Sequence, residues 1–430
     1  MFPEAVFGFE SCAEGGSRTF EGKRERAIVV GQLVCARIAI VRTETSMPTA
    51  YERALDGAVR KVIDETVRIA EIPAPTFNER TRADYVYQRL EAIGGWSHLE
   101  IDRLANVVAV RRGTPGRARL LLCAHLDTVF PDAATPVARS RGRLTGRGVG
   151  DNSLGVAAML GVAEAMHATA VRDVGDLIFA ANVGEEGRGD LRGARRLVQD
   201  YAHDFDAMIA IEGHMLDRVQ TQAVASIRYE VSVETEGGHS WSAYGRSNAI
   251  ALLARAVVAL EPLMPDPEAT PKTTMNVGVI RGGRSVNTIA PDAAIELDIR
   301  SVEQGKVDAL FREARAAMRR AVGGEAPIRF KRIGARPGGE MPADSALVRA
   351  VLGVRAGLGL PAPELYAGST DANAAVGAGL PTTCIGVTTG GEMHTPREWI
   401  STGPIRRGVP YVGRAIVAAA RLPKAALRDG

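Results

Sequence analysis

The chain has 430 residues, of which 46% are hydrophobic and 24% charged, and these values are typical of a globular protein with more than one domain. Its formal net charge is only +3, and Lys and Arg are spread along the chain, so we expect neither nucleic acid nor a membrane surface as a partner. The cysteines are few and widely spaced, without a CxxC pair. This spacing argues against a disulfide framework and makes the cytoplasm the expected location.

The first segment, residues 1–46, lacks a sustained helical or strand period. We predict an N-terminal extension that is disordered or lies upstream of the natural start, and its apolar stretch Ala27–Val41 is too short to span a bilayer. Apolar residues then recur at helical spacing in Tyr51–Ala70 and again in Arg80–Ile93. Two helices therefore open the ordered part of the chain.

Continuous apolar runs of strand length come next, and such runs are typical of strands buried on both faces. They are Leu120–Ala124, Leu177–Val183 and Ala207–Ile211. Helical patterns at Gly155–Met166 and Leu191–Tyr201 separate them. Strands that alternate with helices indicate an α/β fold with a mostly parallel sheet.

Beyond Glu212 the strands become half polar, which indicates a smaller α+β sheet with only one face covered. The alternating strands are Tyr229–Glu236, Met275–Ile280 and Ala294–Ile299, and the helical patterns are Ile250–Leu260 and Val307–Val322. From Ser345 the chain returns to alternating helices and strands. We therefore predict a catalytic domain in two parts, residues 47–224 and 336–430, with an inserted domain at residues 225–335.

Polar residues follow the three buried strands at the point where each strand ends. Together with one loop aspartate and one late histidine, the set is His125, Asp127, Asp151, Glu185, Glu186, Glu212 and His394. The carboxyl ends of parallel strands meet at one crevice, so we expect these side chains to converge. Imidazole and carboxylate together suit two zinc-like ions, between which a shared water is polarised.

Each residue of this set also has a simpler interpretation when it is taken alone. The adjacent glutamates could be a solvated helix start, Asp151 an N-cap, and His394 a surface histidine. The common placement at strand ends favours a shared site. Within that site Glu186 or Glu185 can bind metal while its neighbour takes a proton from the water.

The segment GRGVGDNSLG, Gly146–Gly155, superficially fits a dinucleotide-binding fingerprint. That fingerprint lies directly between a strand and a helix, whereas here a long polar approach follows the strand that ends near Ala124. The mismatch argues against a nucleotide cofactor.

Several short motifs, in this order, resemble those of the co-catalytic dizinc metallopeptidase family. That family contains glutamate carboxypeptidases, aminoacylases, acetylornithine deacetylase, succinyl-diaminopimelate desuccinylase and tripeptide and dipeptide peptidases. The resemblance spans Tyr51 to Arg421. The motifs are HLDTVFP (His125–Pro131), GRGVGDNSLG (Gly146–Gly155), GEEG (Gly184–Gly187), IEG (Ile211–Gly213), GGHSW (Gly237–Trp241) and MHTP (Met393–Pro396).

The resemblance implies a role for each residue of the metal set. His125 and Glu212 would bind one zinc, Glu186 and His394 the other, and Asp151 would bridge the two ions. Asp127 would orient His125, and Glu185 would be the general base and acid. The departure from the family is Ser153, where many members have a lysine. Because the carboxylate of Asp151 is present, we still expect metal binding.

The resemblance also implies contacts outside the metal set. His239 would reach the active site of a second subunit and stabilise the oxyanion, so a homodimer through the inserted lid or dimerisation domain is implied. In a monomer His239 would be an ordinary turn histidine. Asn287, Arg300 and the loop beginning at Gly368 resemble substrate-binding positions, although Arg300 could instead be an ordinary strand-end cation.

The sequence thus predicts a hydrolase with two divalent ions, zinc first and cobalt or manganese as alternatives. It would cleave small peptides through a metal-bridging hydroxide, with Glu185 as general base and acid. The alternative within the same chemistry is an N-acyl amino acid deacylase. The alternative from another class is a catalytically silent relative that binds peptides or metal.

Overall fold

The computed structural model describes residues 47–131 and 135–427. The predicted extension at residues 1–46, with its apolar stretch, lies outside the described residues. The helices are α1 (Ala50–Ala70), α2 (Arg80–Ile93), α3 (Gly155–Ala168), α4 (Arg192–Asp200), α5 (Ala249–Val258), α6 (Gln304–Val322), α7 (Ala346–Gly357), α8 (Ala372–Gly377) and α9 (Ile405–Ala420).

The strands of the described ranges fall into one large sheet and three smaller ones. They are β1 (His98–Ile101), β2 (Val107–Arg111), β3 (Leu120–His125), β4 (Ala138–Ser140), β5 (Arg143–Thr145), β6 (Leu177–Asn182), β7 (Ala207–Glu212), β8 (Arg218–Ala223), β9 (Ala225–Glu234), β10 (Gly238–His239), β11 (Thr273–Gly282), β12 (Thr288–Ile289), β13 (Asp292–Ser301), β14 (Ile328–Arg336), β15 (Gly339–Glu340), β16 (Glu364–Gly368), β17 (Thr382–Gly386), β18 (Gly390–Gly391) and β19 (Trp399–Ser401).

The large sheet has four parallel strands at its centre, in the order β6, β3, β7 and β17. Every residue of these strands is buried, as the continuous apolar runs of β3, β6 and β7 predict. Core residues of α1, α3 and α9 pack on one face, and those of α4 and α8 on the other. The predicted α/β fold with a mostly parallel sheet is confirmed.

A second sheet is antiparallel throughout, in the order β11, β13, β9 and β14. Buried and less buried residues alternate along β13 because only one face of this sheet packs against α5 and α6. It therefore has a hydrophobic core of its own. The predicted domain boundaries stay a prediction, since the contacts place the residues from Pro48 onward in one compact unit.

The register of the central strands aligns their carboxyl ends. His125 at the end of β3 is paired with Asn182 at the end of β6, and Glu212 at the end of β7 with Gly386 at the end of β17. Side chains that follow these four strands therefore emerge at one edge of the sheet. Separately, the described helices include none that is long and apolar enough to cross a membrane.

Close packing of α1 against α3 generates a stability prediction. A Cβ atom at Gly161 would lie 2.6 Å from Val62 Cγ2, whereas one at Gly57 would meet nothing within 4 Å. We expect Gly161→Ala to lower the free energy of unfolding by about 1–3 kcal/mol through overpacking. Gly57→Ala, the matched control, should raise it by about 0.5–1 kcal/mol because alanine favours the helix. Urea unfolding of metal-free protein measures both, and a Gly161→Ala variant that is stabilised as much as Gly57→Ala would contradict the close helix contact.

Candidate metal centre and active-site cavity

A cavity of about 380 Å³ lies at the carboxyl edge of the central sheet. Acidic and histidine side chains line one part of it, and arginines line another. The charged and histidine lining residues are His125, Asp151, Glu185, Glu186, Glu212, His214, Arg228, Arg300, Arg336 and His394. The structure therefore brings together six of the seven residues of the predicted metal set in one cavity, while Asp127 is fully buried behind it.

Different elements carry these groups to the same place. His125 and Glu212 are the last residues of β3 and β7, and the adjacent Glu185 and Glu186 begin three residues after the end of β6. Asp151 lies in the irregular turn before α3, where its φ of −110° and ψ of 85° depart from helical values. His394 lies in the loop between β18 and β19.

The Asp151 carboxylate lies between the two histidines of the metal set. Its Oδ1 is 3.0 Å from His125 Nε2, and its Oδ2 is 3.0 Å from His394 Nε2. A second carboxylate stands beside each histidine: Glu212 Oε2 is 3.8 Å from His125 Nε2, and Glu186 Oε1 is 3.2 Å from His394 Nε2. The Asp151 carboxylate thus belongs to two separate groups of potential ligands.

Three groups of side chains have potential ligand atoms within 4.8 Å of one another in the described ranges. Two of them share Asp151 and have the membership that the resemblance implies. The groups are His125, Asp151 and Glu212; Asp151, Glu186 and His394; and His125, Glu185 and Glu186. Imidazole nitrogen and carboxylate oxygen are ligands that zinc accepts, so the donor set fits a pair of divalent ions.

The electrostatics of the cluster also favour cations. Burial raises the pKa of Glu186 to about 7 and that of Glu212 well above its usual range, because their charged forms are poorly solvated. Burial acts in the same direction on Asp151, but hydrogen bonds with His125 and His394 lower its pKa overall. Bound cations would stabilise this cluster, because burial makes the ionised form of its glutamates unfavourable.

Asp127 contacts two parts of the site, the His125 ring and the backbone of the two adjacent glutamates. His125 Nδ1 lies 3.1 Å from the Asp127 backbone carbonyl but 3.6 Å from its carboxylate, so the carbonyl makes the closer contact. The carboxylate instead accepts the backbone N–H groups of Glu185 and Glu186, at 2.9 and 3.0 Å, and the Thr76 hydroxyl at 2.9 Å. One side chain therefore fixes the backbone of the two adjacent glutamates, while its own backbone contacts the histidine.

Glu185 is paired with a buried arginine. Arg336 Nη1 donates to Glu185 Oε1 at 2.8 Å and to Ser369 Oγ at 3.1 Å, and its Nη2 donates to the Glu185 carbonyl. Burial alone would lower the pKa of Arg336, but Glu185 and the other acidic groups nearby raise it above its usual value. The predicted general base is therefore held in one orientation rather than exposed to solvent.

Two of the predicted substrate-binding positions lie at the cavity. Arg300 lines it and donates from Nε to Asp298 at 2.7 Å, and Arg228 donates to the same carboxylate at 2.9 Å. Gly368 ends β16, and the next residues, Ser369 and Thr370, are part of the lining. Guanidinium groups at this position can hold an anionic part of a substrate.

The third predicted substrate-binding residue, Asn287, and the predicted oxyanion residue, His239, lie elsewhere. His239 and Asn287 are exposed residues in and beside the small β10–β12 pair, and neither is among the residues that line the cavity. Their side chains accept local hydrogen bonds: Trp241 N–H donates to His239 Nδ1, and Ser285 Oγ donates to Asn287 Oδ1. Their roles stay a prediction that requires a second subunit.

Sequence reasoning missed several polar residues of the site, all of them buried except the half-buried Arg228. They are His214, Arg228, Arg336, Asp371 and Glu398. Three lay close to residues that it identified: His214 two positions after Glu212, Glu398 four after His394, and Asp371 in the loop that begins at Gly368. Arg336 and Arg228 gave no local signal, because an arginine near the end of a half-polar strand is common.

Comparisons with known proteins identify the family. Peptidase family M20/M25/M40 matches residues 121–418. A putative succinyl-diaminopimelate desuccinylase of Mycobacterium tuberculosis is 26% identical over 358 residues, which cover 82% of this chain and 97% of that protein.

Solved structures of the family have the same fold. A tripeptidase from Staphylococcus aureus superposes with a TM-score of 0.71 at 21% identity, over 85% of this chain and 99% of that one. A Bacillus subtilis protein described as a dinuclear metal-binding peptidase of the M20 family does so with a TM-score of 0.61 at 18% identity, again over 85% and 99%. Because the family match covers more than half of the chain, this protein belongs to peptidase family M20/M25/M40, which confirms the predicted resemblance and the prediction of an enzyme that acts on C–N amide bonds.

Proposed function

We propose that this protein is a two-metal hydrolase, with zinc as the working metal, that cleaves peptide bonds in small peptides. The observation that carries the proposal is the Asp151 carboxylate, whose two oxygens each lie 3.0 Å from a different histidine. A carboxylate shared in this way suits two ions a few ångströms apart. The similarity to a dinuclear metal-binding peptidase supports the same interpretation.

In this proposal His125 and Glu212 would hold one ion, Glu186 and His394 would hold the other, and Asp151 would contribute to both sites. Two bound divalent ions would polarise the scissile carbonyl and lower the pKa of a water molecule. Asp127 keeps the two adjacent glutamates in place through their backbone N–H groups, so that one faces the metals and the other the reacting atoms.

Glu185 is the proton carrier of the proposed mechanism. Its carboxylate takes a proton from the attacking water and delivers it to the leaving nitrogen. Arg336 holds Glu185 Oε1 at 2.8 Å and its backbone carbonyl, which limits the rotation of the side chain. Proton transfer needs a donor and an acceptor held within hydrogen-bond reach, and this ion pair provides that restraint.

The arginines on the second sheet define the substrate class. Arg300 and Arg228 share the single carboxylate of Asp298, so this part of the cavity has an excess of positive charge. A free carboxylate on the substrate would bind here, next to the amide bond that is cleaved. Both a small peptide and an N-acyl amino acid have such a group, and the similarity to a desuccinylase favours the second as the alternative substrate.

A substrate panel decides between these candidates. We expect protein reconstituted with Zn²⁺ to hydrolyse dipeptides or tripeptides with a free C-terminal carboxylate, and to lose most of this activity when that carboxylate is amidated. Activity on N-acyl amino acids alone would make the protein a deacylase. Tight binding of two metal ions without activity on any substrate would favour the silent binding protein.

The role of Glu185 has a direct test. We expect Glu185→Gln to lower kcat by about 10²- to 10⁴-fold, because glutamine cannot carry the proton. Metal content measured by elemental analysis should stay at the wild-type value, since this side chain is not among the proposed ligands. The matched control is Glu364→Gln, at a surface carboxylate paired with Arg218, and it should retain full activity. Normal hydrolysis by Glu185→Gln would contradict the assigned mechanism.

We propose in addition that two copies associate through the part of the chain near His239. Large apolar side chains are exposed there, namely Trp241 at 87%, Tyr244 at 89% and Val286 at 104% relative accessibility. Exposed apolar patches of this kind are typical of interaction sites. The dimer would let His239 reach the cavity of the other subunit. We keep the cytoplasm as the predicted location of the protein.

Mixing two inactive variants tests the shared site. His239→Ala and Glu185→Gln should each be nearly inactive alone. After random exchange of subunits, half of the dimers contain one of each, and one of their two sites has both residues intact. We therefore expect activity to recover to about a quarter of the wild-type value. No recovery despite proven subunit exchange would mean that His239 does not act in a second subunit's cavity.

A further inference from the structure

A buried carboxylate lies behind the Asp151 loop. Glu398 is only 1% exposed, and its carboxylate accepts three backbone N–H groups of this loop. Gly148 donates to Oε2 at 3.0 Å, while Gly150 and Asp151 donate to Oε1 at 2.7 and 2.8 Å. These bonds replace the regular helical pairing that the irregular turn lacks.

A histidine completes this contact from the other side. His214 Nε2 lies 3.2 Å from Glu398 Oε1, and the ring is 5% exposed. The ring also packs directly on the loop, because a Cβ atom at Gly150 would lie only 2.1 Å from His214 Nε2. The loop therefore has no room to move towards the ring and is held by the carboxylate from moving away.

The contacts of the loop tie together three of the five segments that carry the proposed ligands. Glu398 lies four residues after His394, so its bonds join the Asp151 loop to that ligand's segment. On the other side Asn152 donates to the Ile211 carbonyl at 2.8 Å and accepts the Gly213 N–H at 2.9 Å, on either side of Glu212. Asp151 is thus fixed relative to one ligand of each proposed ion.

We propose that Glu398 is a positioning residue for the metal centre, which sets where the shared Asp151 carboxylate lies between the two histidines. The inference rests on the proposed function, because it assumes that Asp151 binds both ions. Residues that orient metal ligands typically change metal affinity or activity by about 10- to 100-fold when they are replaced. Glu398 has no place in the proton transfer, so its effect should fall on metal affinity.

Zn²⁺ binding to Glu398→Gln is the test. Glutamine has nearly the same size, but its NH₂ group replaces an oxygen that accepts an N–H group of the loop, so at least one bond is lost. We expect at least one of the two Zn²⁺ dissociation constants, measured by competition with a chromophoric chelator, to rise about 10- to 100-fold. The matched control is Glu392→Gln, in the same segment, where the side chain is exposed and paired with Arg397. It should bind Zn²⁺ like the wild type.

Urea unfolding of the metal-free variants separates positioning from simple stability. A variant that is less stable but binds Zn²⁺ with wild-type constants would overturn the proposal. If Glu398→Gln does not fold, Gly150→Ala provides the test, because its Cβ pushes the loop off the His214 ring while Glu398 stays intact. Weaker Zn²⁺ binding by Gly150→Ala supports the proposal, and unchanged binding overturns it. A wild-type protein that binds no Zn²⁺ would instead overturn the proposed function itself.

Discussion

The arrangement of the cavity depends on the contact of one carboxylate with two histidines. Asp151 places one oxygen 3.0 Å from His125 and the other 3.0 Å from His394, although these residues are far apart in the chain. Each histidine has its own second carboxylate, Glu212 or Glu186. The cavity is therefore divided into two halves that share one side chain, and any displacement of that side chain affects both halves.

The parallel sheet makes this contact possible. The strands that end at His125 and Glu212 are buried along their whole length, so the first place where they can present a polar side chain is their carboxyl end. Their register aligns these ends with those of the strands on either side. The apolar runs thus determine both which residues form the core and where the site lies.

The location of the site at the ends of buried strands explains which of its residues could be predicted from the sequence. The buried strands and the polar residues that follow them are local patterns, and the common placement of these residues at strand ends is what predicts a shared site. Arg336 is different, because its contact with Glu185 joins residues 151 positions apart and arises only when the second sheet meets the first. Glu398 was missed for a related reason: its three partners are backbone N–H groups, which have no signature in the sequence.

The buried carboxylates of the site are compensated in different ways, according to their proposed roles. Arg336 compensates the carboxylate of Glu185, which does not bind metal in the proposed mechanism and needs a positive partner when it is buried. The proposed ligands have no arginine or lysine among the ion pairs of the described residues, and in the proposed mechanism bound cations would balance their charge. Glu398 is compensated in a third form, since its carboxylate accepts three backbone N–H groups of the Asp151 loop. Burial of so many acidic groups in one region is therefore compatible with a stable fold only because each class of carboxylate has its own form of compensation.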